Sequence, residues 1–314
     1  MTRITFPLSV LVIVLLGLLQ AVPAQAQPIR VFVALTGADA NPCTFASPCK
    51  SVQHAHDVVA AGGEIRMLDS GSYGLLTITK AISILGDGHG GIAAQSGATA
   101  ITINAGATDK VNLRGLVIEG FGTGQIGIIF NTGASLNIQD SIIRNFTLNG
   151  IDFAPTAASQ LNVSQTLVSD IGSAGSAVFI QPSGSGTAKA VLDHVVLDHG
   201  FDGLEVSGSA TTGSVYVTIA DSVISNWSDV GIVGFTSSGA TTQVMVRNCT
   251  ISNNSGIAIQ SNGAAAVVRV TRSTITANTF GFLSFGSGTL VSYGDNNLDG
   301  NTTNGSPTST IVYH

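Results

Sequence analysis

Charge is scarce in this sequence of 314 residues. Only 10% are Asp, Glu, Lys or Arg, against about 25% in ordinary globular domains. The 12 basic residues are outnumbered by 18 acidic ones, which argues against nucleic acid or an anionic membrane as a partner, because both want a basic face. Aromatic residues make up 6%, with a single Trp at 227, so platforms for stacked ligands are few. Three cysteines are too few for a disulfide-dense scaffold. Long apolar runs are confined to residues 4–19, so no later membrane span is expected.

What the chain does have is repetition. An apolar residue closing a short strand recurs as Leu113, Ile138, Val163, Leu192, Ile219, Val246, Val270 and Tyr293. Three residues on stands a mostly small or polar one: Leu116, Ser141, Thr166, Val195, Ser222, Cys249, Ser273, Asn296. Two further on is an aliphatic: Ile118, Ile143, Val168, Leu197, Ile224, Ile251, Ile275, Leu298. That aliphatic position advances by 25, 25, 29, 27, 27, 24 and 23 residues, a solenoid period. Each repeat holds three short runs alternating apolar and polar, the mark of half-buried strands. Corners of two or three residues are too tight for hairpins between such runs. Coiling satisfies them instead, with each strand paired to its equivalent one repeat later.

The corners agree. Two residues after the aliphatic stand Gly120, Asn145, Asp170, His199, Asn226, Asn253, Ala277 and Gly300. Gly, Asn and Asp tolerate left-handed backbone, and a side-chain ladder along this column is expected. On these repeats, residues 60–305 resemble the right-handed parallel β-helix proteins of the pectin-lyase-like group. The fold class expected is all-β, a right-handed parallel β-helix of about nine coils with a short N-terminal capping helix. One such scaffold hosts many functions.

Residues 1–26 read as a secretory signal, with Arg3, an apolar run and the small-x-small site Ala24-Gln25-Ala26. A secreted, periplasmic or extracellular location is expected, with no membrane span once the signal is removed. Residues 27–62 form a cap of strand, loop and helix, 63–305 the β-helix, and 306–314 a tail or end strand. Ser51 is placed to cap the helix. Cys43 and Cys49 are expected to form a disulfide in an oxidising compartment. Cys249, in the small slot of its repeat, is expected to be a buried thiol. His54 and His56 are expected to be solvated.

The resemblance implies carbohydrate chemistry, through calcium-binding carboxylates with an Arg base in pectate lyases, or three Asp with His-Gly and Arg-x-Lys in polygalacturonases. His199-Gly200 matches one such element, but no Asp-Asp, Asn-Thr-Asp or Arg-x-Lys accompanies it. His199 therefore reads as a corner residue. Stacking at roughly 4.8 Å per coil brings His194 toward Asp221, where a histidine beside a carboxylate could act as general base. Arg247, Arg269 and Arg272 fall on adjacent coils and offer a spot for a sugar carboxylate.

The outward side of the third strand is read as Ile129, Asp152, Glu205, Val233, Ala258 and Leu283. Asp152 and Glu205 then stand roughly 10 Å apart, wide for one calcium ion; no cofactor is expected and calcium lacks support. Trp227 is the one large aromatic offered for sugar binding. Val117, Ile142, Leu167, Val196 and Val223 form an apolar stripe that either faces outward or is half-buried at the corner. The reading is a secreted protein binding polysaccharide or a cell-surface component along its shaft, without a complete catalytic set. The alternative is a polysaccharide lyase or related carbohydrate-active enzyme.

Overall fold

Coiling makes every strand a rung, and three parallel sheets result. The computed structural model describes residues 27–311; the signal read in residues 1–26 lies outside them, as do residues 312–314. One coil shows the plan: Ser135–Gln139 lies in the first sheet, Ile142–Arg144 in the second and Asn149–Phe153 in the third. The next coil repeats it with Ala158–Ser164, Leu167–Ser169 and Ser176–Ile180. Register is kept from rung to rung: Ile138 pairs Val163, Ile143 pairs Val168, and Ile151 pairs Val178, all in parallel. About nine coils stack in this way.

The interior is a column of aliphatics. Ile118, Ile143, Val168, Leu197, Ile224, Ile251 and Ile275 are all fully buried, stacked one above another by the register. Phe146 and Trp227 fill the same interior beside the second corner, and Phe130 stacks on Phe153 at 4.6 Å between ring centroids.

The two corners that flank the second sheet turn through left-handed backbone. Asp140, Gln165, His194, Asp221, Asn248 and Arg272 (φ 48 to 53°) occupy the first corner. Asn145, Asp170, His199, Asn226, Asn253 and Ala277 (φ 56 to 64°) occupy the second. The small slot explains itself here. Thr166 Oγ1 donates to Ser164 O at 2.8 Å, and Ser141 Oγ donates to Gln139 O at 2.8 Å. Each hydroxyl also accepts an amide N–H from the coil before: Leu116 N to Ser141 Oγ, Val195 N to Ser222 Oγ, Cys249 N to Ser273 Oγ. A buried donor left by the turn is thus satisfied from the next repeat.

The expected side-chain ladder at the second corner lies one residue further on and points inward. Asn254 Nδ2 donates to Asn278 Oδ1 at 2.7 Å, and Asn278 Nδ2 to Asn301 Oδ1 at 2.8 Å. The corner residues themselves turn outward to acids, as Asn145 does to Glu119 and Asn226 to Asp198.

At the N-terminal end, Arg30–Val33 pairs with Gly63–Met67 as the first rung of the first sheet. Helix α1, Val52–Val58, closes the bore. Ser51 caps it by accepting from His54 N at 3.2 Å, and Asp39 holds that cap through Lys50 N, Ser51 N and Ser51 Oγ. Cys43 and Cys49 form the disulfide, with Cα atoms 4.6 Å apart. Bonded sulfurs offer no thiolate, so the nearby His54 does not complete a metal site with them.

His56 departs from its expected solvation. It is buried, accepts from Thr79 N at Nε2 and bonds Asp57 at Nδ1. Burial holds its pKa below the ordinary value, consistent with a neutral ring donating from Nδ1. Cys249 is buried as expected, its thiol pushed up to about 11 by desolvation. No helix among the described residues is long and apolar enough to cross a membrane.

Candidate functional site

The third sheet breaks strand alternation at one place in each coil. A Cβ on Gly150 would stand 2.4 Å from Val168 Cγ1 and 2.6 Å from Ala177 O. On Gly203 it would stand 2.4 Å from Gly231 O and 3.0 Å from Ile224 Cγ2. The aliphatics of the second sheet press in here, so the chain needs glycine or alanine. The residue after it, Ile151 or Leu204, also faces the core. Two consecutive inward positions place the residue before the glycine and the residue two after it on the same outer side.

That geometry gathers carboxylates. Asn149 Nδ2 donates to Asp152 Oδ2 at 3.2 Å, and Ser176 Oγ donates to Glu205 Oε2 at 3.1 Å. Asn149 Oδ1 accepts from Ser176 N at 3.0 Å, tying the two coils together. Asp202, in register with Ser176, is 8% exposed and accepts from Val230 N at 3.0 Å. Burial raises the pKa of Asp152 against the opposing Asn149 bond. Glu205 is raised by burial and by the charges of Asp152 and Asp229, against the Ser176 bond. Asp202 is pushed up to about 7 by burial, helped by Asp229 and Glu205 and opposed by the Val230 N–H. A carboxyl titrating near neutrality can give or take a proton at ambient pH.

The register corrects the outward column. Phe179 stands between Asp152 and Glu205, and Gln260 rather than Ala258 follows Val233. Ala258 is fully buried, at the inward glycine position of its coil. Asp152 and Glu205 are two rungs apart, roughly 10 Å at the backbone, with an aromatic ring between them.

Other expected site residues are dispersed. His194 is exposed and bonds its neighbour Asp193 at 2.9 Å, which holds its pKa above the ordinary value. Asp221 accepts instead from Arg247 Nη2 at 2.6 Å and from Asn248, so the His194–Asp221 hydrogen bond is not formed. The three arginines do not converge. Arg247 is held by Asp221, Arg269 donates to Gln243 on the first sheet at 3.0 Å, and Arg272 is itself a left-handed corner residue. Trp227 is fully buried, its indole N–H donating to Leu197 O, and offers no surface to a sugar.

The apolar stripe of Val117, Ile142, Leu167, Val196 and Val223 is in register on the outside of the second sheet, with Val196 and Val223 each 39% exposed. Sequence reasoning missed Asn149, Ser176, Phe179 and Asp202 as a group. The available signal was their place, immediately before the third-strand glycine or alanine or two residues after it.

A shallow groove of about 560 Å³ runs outside the first sheet, lined by Lys189, Tyr216, Gln243 and Arg269 among others.

Stacked coils of three parallel sheets define the class: this is a right-handed parallel β-helix. Residues 172–313 match the family model described as right handed beta helix region. No curated protein sequence matches the chain. Among solved structures, a pectate lyase, Pel9A, is similar at a TM-score of 0.65 and 13% identity, covering 84% of this chain and 74% of that one. An alginate lyase from Paenibacillus sp. str. FPU-7 aligns at 0.55 and 13%, covering 90% and 97%. Geobacillus virus E2 ORF18 aligns at 0.57 and 13%, covering 99% and 65%. At these identities the likeness is one of fold.

Proposed function

We propose that this protein is an exported carbohydrate-active β-helix that cleaves glycosidic bonds by hydrolysis on the outer face of its third sheet. The observation that carries the reading is the gathering of Asp152, Asp202 and Glu205 there, each with its proton affinity raised by burial, that of Asp202 to about 7. Asp202 supplies the proton to the leaving glycosidic oxygen as the C–O bond breaks. Asp152, on the coil two rungs before that of Asp202 and separated from Glu205 by Phe179, takes a proton from the water whose oxygen bonds to the anomeric carbon. Carboxyls on coils two rungs apart, roughly 10 Å at the backbone, leave room for a water and suit direct displacement with inversion. Glu205 holds negative charge beside the cationic transition state. Elimination is less well supported, because a lyase base among His194, Arg247, Arg269 and Arg272 would lie away from these acids.

The test is depolymerisation of neutral and acidic polysaccharides by the purified chain, with and without calcium, following reducing ends and the ultraviolet absorbance of unsaturated products. The expected result is new reducing ends without absorbance, lost by at least about a hundredfold in Asp202→Asn and Asp152→Asn. Unsaturated products, or cleavage untouched by both variants, would overturn it. Silence on the whole panel with retained glycan binding would support the second reading, non-catalytic attachment along the first-sheet groove. The exposed Tyr216 beside Lys189 and Arg269 favours that alternative.

A further inference from the structure

Cations are distributed unevenly around the shaft. From the clear repeats onward, Lys110, Arg114, Lys189, Arg247 and Arg269 stand on first-sheet strands and Arg144 on the second. The side of each coil that carries the third sheet and its flanking loops spans residues 145–157, 170–186, 199–214, 226–241, 253–265 and 277–288. None of these segments contains Lys or Arg, and His199 is their one histidine. The same segments carry Asp152, Asp170, Asp202, Glu205 and Asp229. A uronate or sulfated sugar laid on this face would meet carboxylates with no cation to offset its charge, whereas an uncharged sugar meets no such penalty.

The face also continues beyond the acids. Along one row, Phe235, Asn262 and Phe285 are in register on successive coils, following the buried Ser207. Phe285 is 48% exposed, and Phe235 and Asn262 are partly exposed. Phe235 and Phe285 are two rungs apart, roughly 10 Å, with the Asn262 amide between them. In the row two residues earlier, Gln260 lies between Val233 and Leu283. Apolar faces alternating with uncharged amides match the two surfaces of a neutral pyranose chain, its C–H faces and its hydroxyl edges.

We infer that the third-sheet site takes an uncharged polysaccharide, which runs along the shaft from Asp152 toward the C-terminal coils and rests on Phe235, Asn262 and Phe285. This rests on the hydrolytic reading for the position of the cleaved bond, but not for the choice of ligand. Binding is therefore measured separately from cleavage, in Asp202→Asn, by calorimetry with neutral oligosaccharides of increasing length and with uronate oligosaccharides of the same lengths.

Affinity for a neutral series is expected to rise with length. The gain should fall about tenfold in Phe285→Ala and in Phe235→Ala, comparable to losing part of one buried ring. Both variants should unfold like the parent, which separates lost binding from lost fold. Uronates should bind weakly at low salt and gain as salt screens the like-charge repulsion, without reaching the affinity of the neutral series. The inference is overturned if uronates bind the parent more tightly than neutral chains. It is also overturned if neutral chains bind with no loss in either Phe variant, or if none of the neutral series binds. If neutral chains bind as expected while the active protein releases no reducing ends, the ligand class stands and the hydrolytic reading falls.

Discussion

Asp202 is costly where it stands. Its carboxylate is nearly buried, beside two further acids, and accepts from the backbone N–H of Val230. The folded pKa lies near 7, above that of the unfolded chain, so the folded state holds a proton that the unfolded state has released. Stability from this group is full below about pH 4 and is lost as pH rises through 7. Asp152 and Glu205, also raised, act in the same sense. At about 1.4 kcal/mol per tenfold change in proton affinity, ionised Asp202 costs the fold a few kcal/mol at alkaline pH. Asp202→Asn keeps the acceptor for Val230 N and removes the charge. It should melt higher than the parent at pH 8 and no higher at pH 4. A gain of equal size at both pH values would mean that the pKa is not raised. Glu119 shows the contrasting case. Burial alone would raise it, yet bonds from Asn145, Arg144 and the Phe121 N–H together hold it low.

At the scale of the element, the corner decides what a coil tolerates. Each second corner needs one left-handed residue, and most coils supply Asn, Asp or His there. Ala277 adopts the same conformation, φ 57°, with neither a glycine's freedom nor an Asx side chain. A left-handed L-residue costs about 1–2 kcal/mol, while glycine gives back about 0.5–1 in unfolded entropy. Ala277→Gly should therefore stabilise by about 0.5–1 kcal/mol in urea unfolding. Destabilisation would show that the methyl makes contacts worth more than the strain. The Asn254–Asn278–Asn301 ladder beside it explains how the C-terminal coils close this corner with amides where earlier coils use Phe146 and Trp227.

The whole molecule is a stack in which each coil meets only its neighbours, so stability is close to a sum over rungs. Removing residues 142–166 joins Ser141 to Leu167, the register partner of Ile142. The shortened chain should still unfold in one transition, with a modest loss of stability. Removing one residue more, 142–167, puts Val168 where an outward side chain belongs and reverses the second-sheet strand. That variant should not fold cooperatively. Equal behaviour of the two deletions in circular-dichroism melts would count against the nearest-neighbour picture.

The repeat, the aliphatic column, the small slot and the left-handed corners were legible from the residues alone, because a solenoid writes its tertiary contacts as a period in the chain. Ile143 above Ile118 is a contact between residues 25 apart that recurs at every turn. The disulfide and the helix cap were readable for the same reason, being local. The site was not. Asp202, Asn149 and Ser176 stand on one side with Asp152 and Glu205 only because the second sheet presses on Gly150 and Gly203 and breaks the alternation. Trp227 looked like a sugar platform until the second corner turned it inward. Periodicity fixes which residues stack, but the direction of a side chain beside a bend, and the proton affinity that burial then confers, depend on what packs behind it.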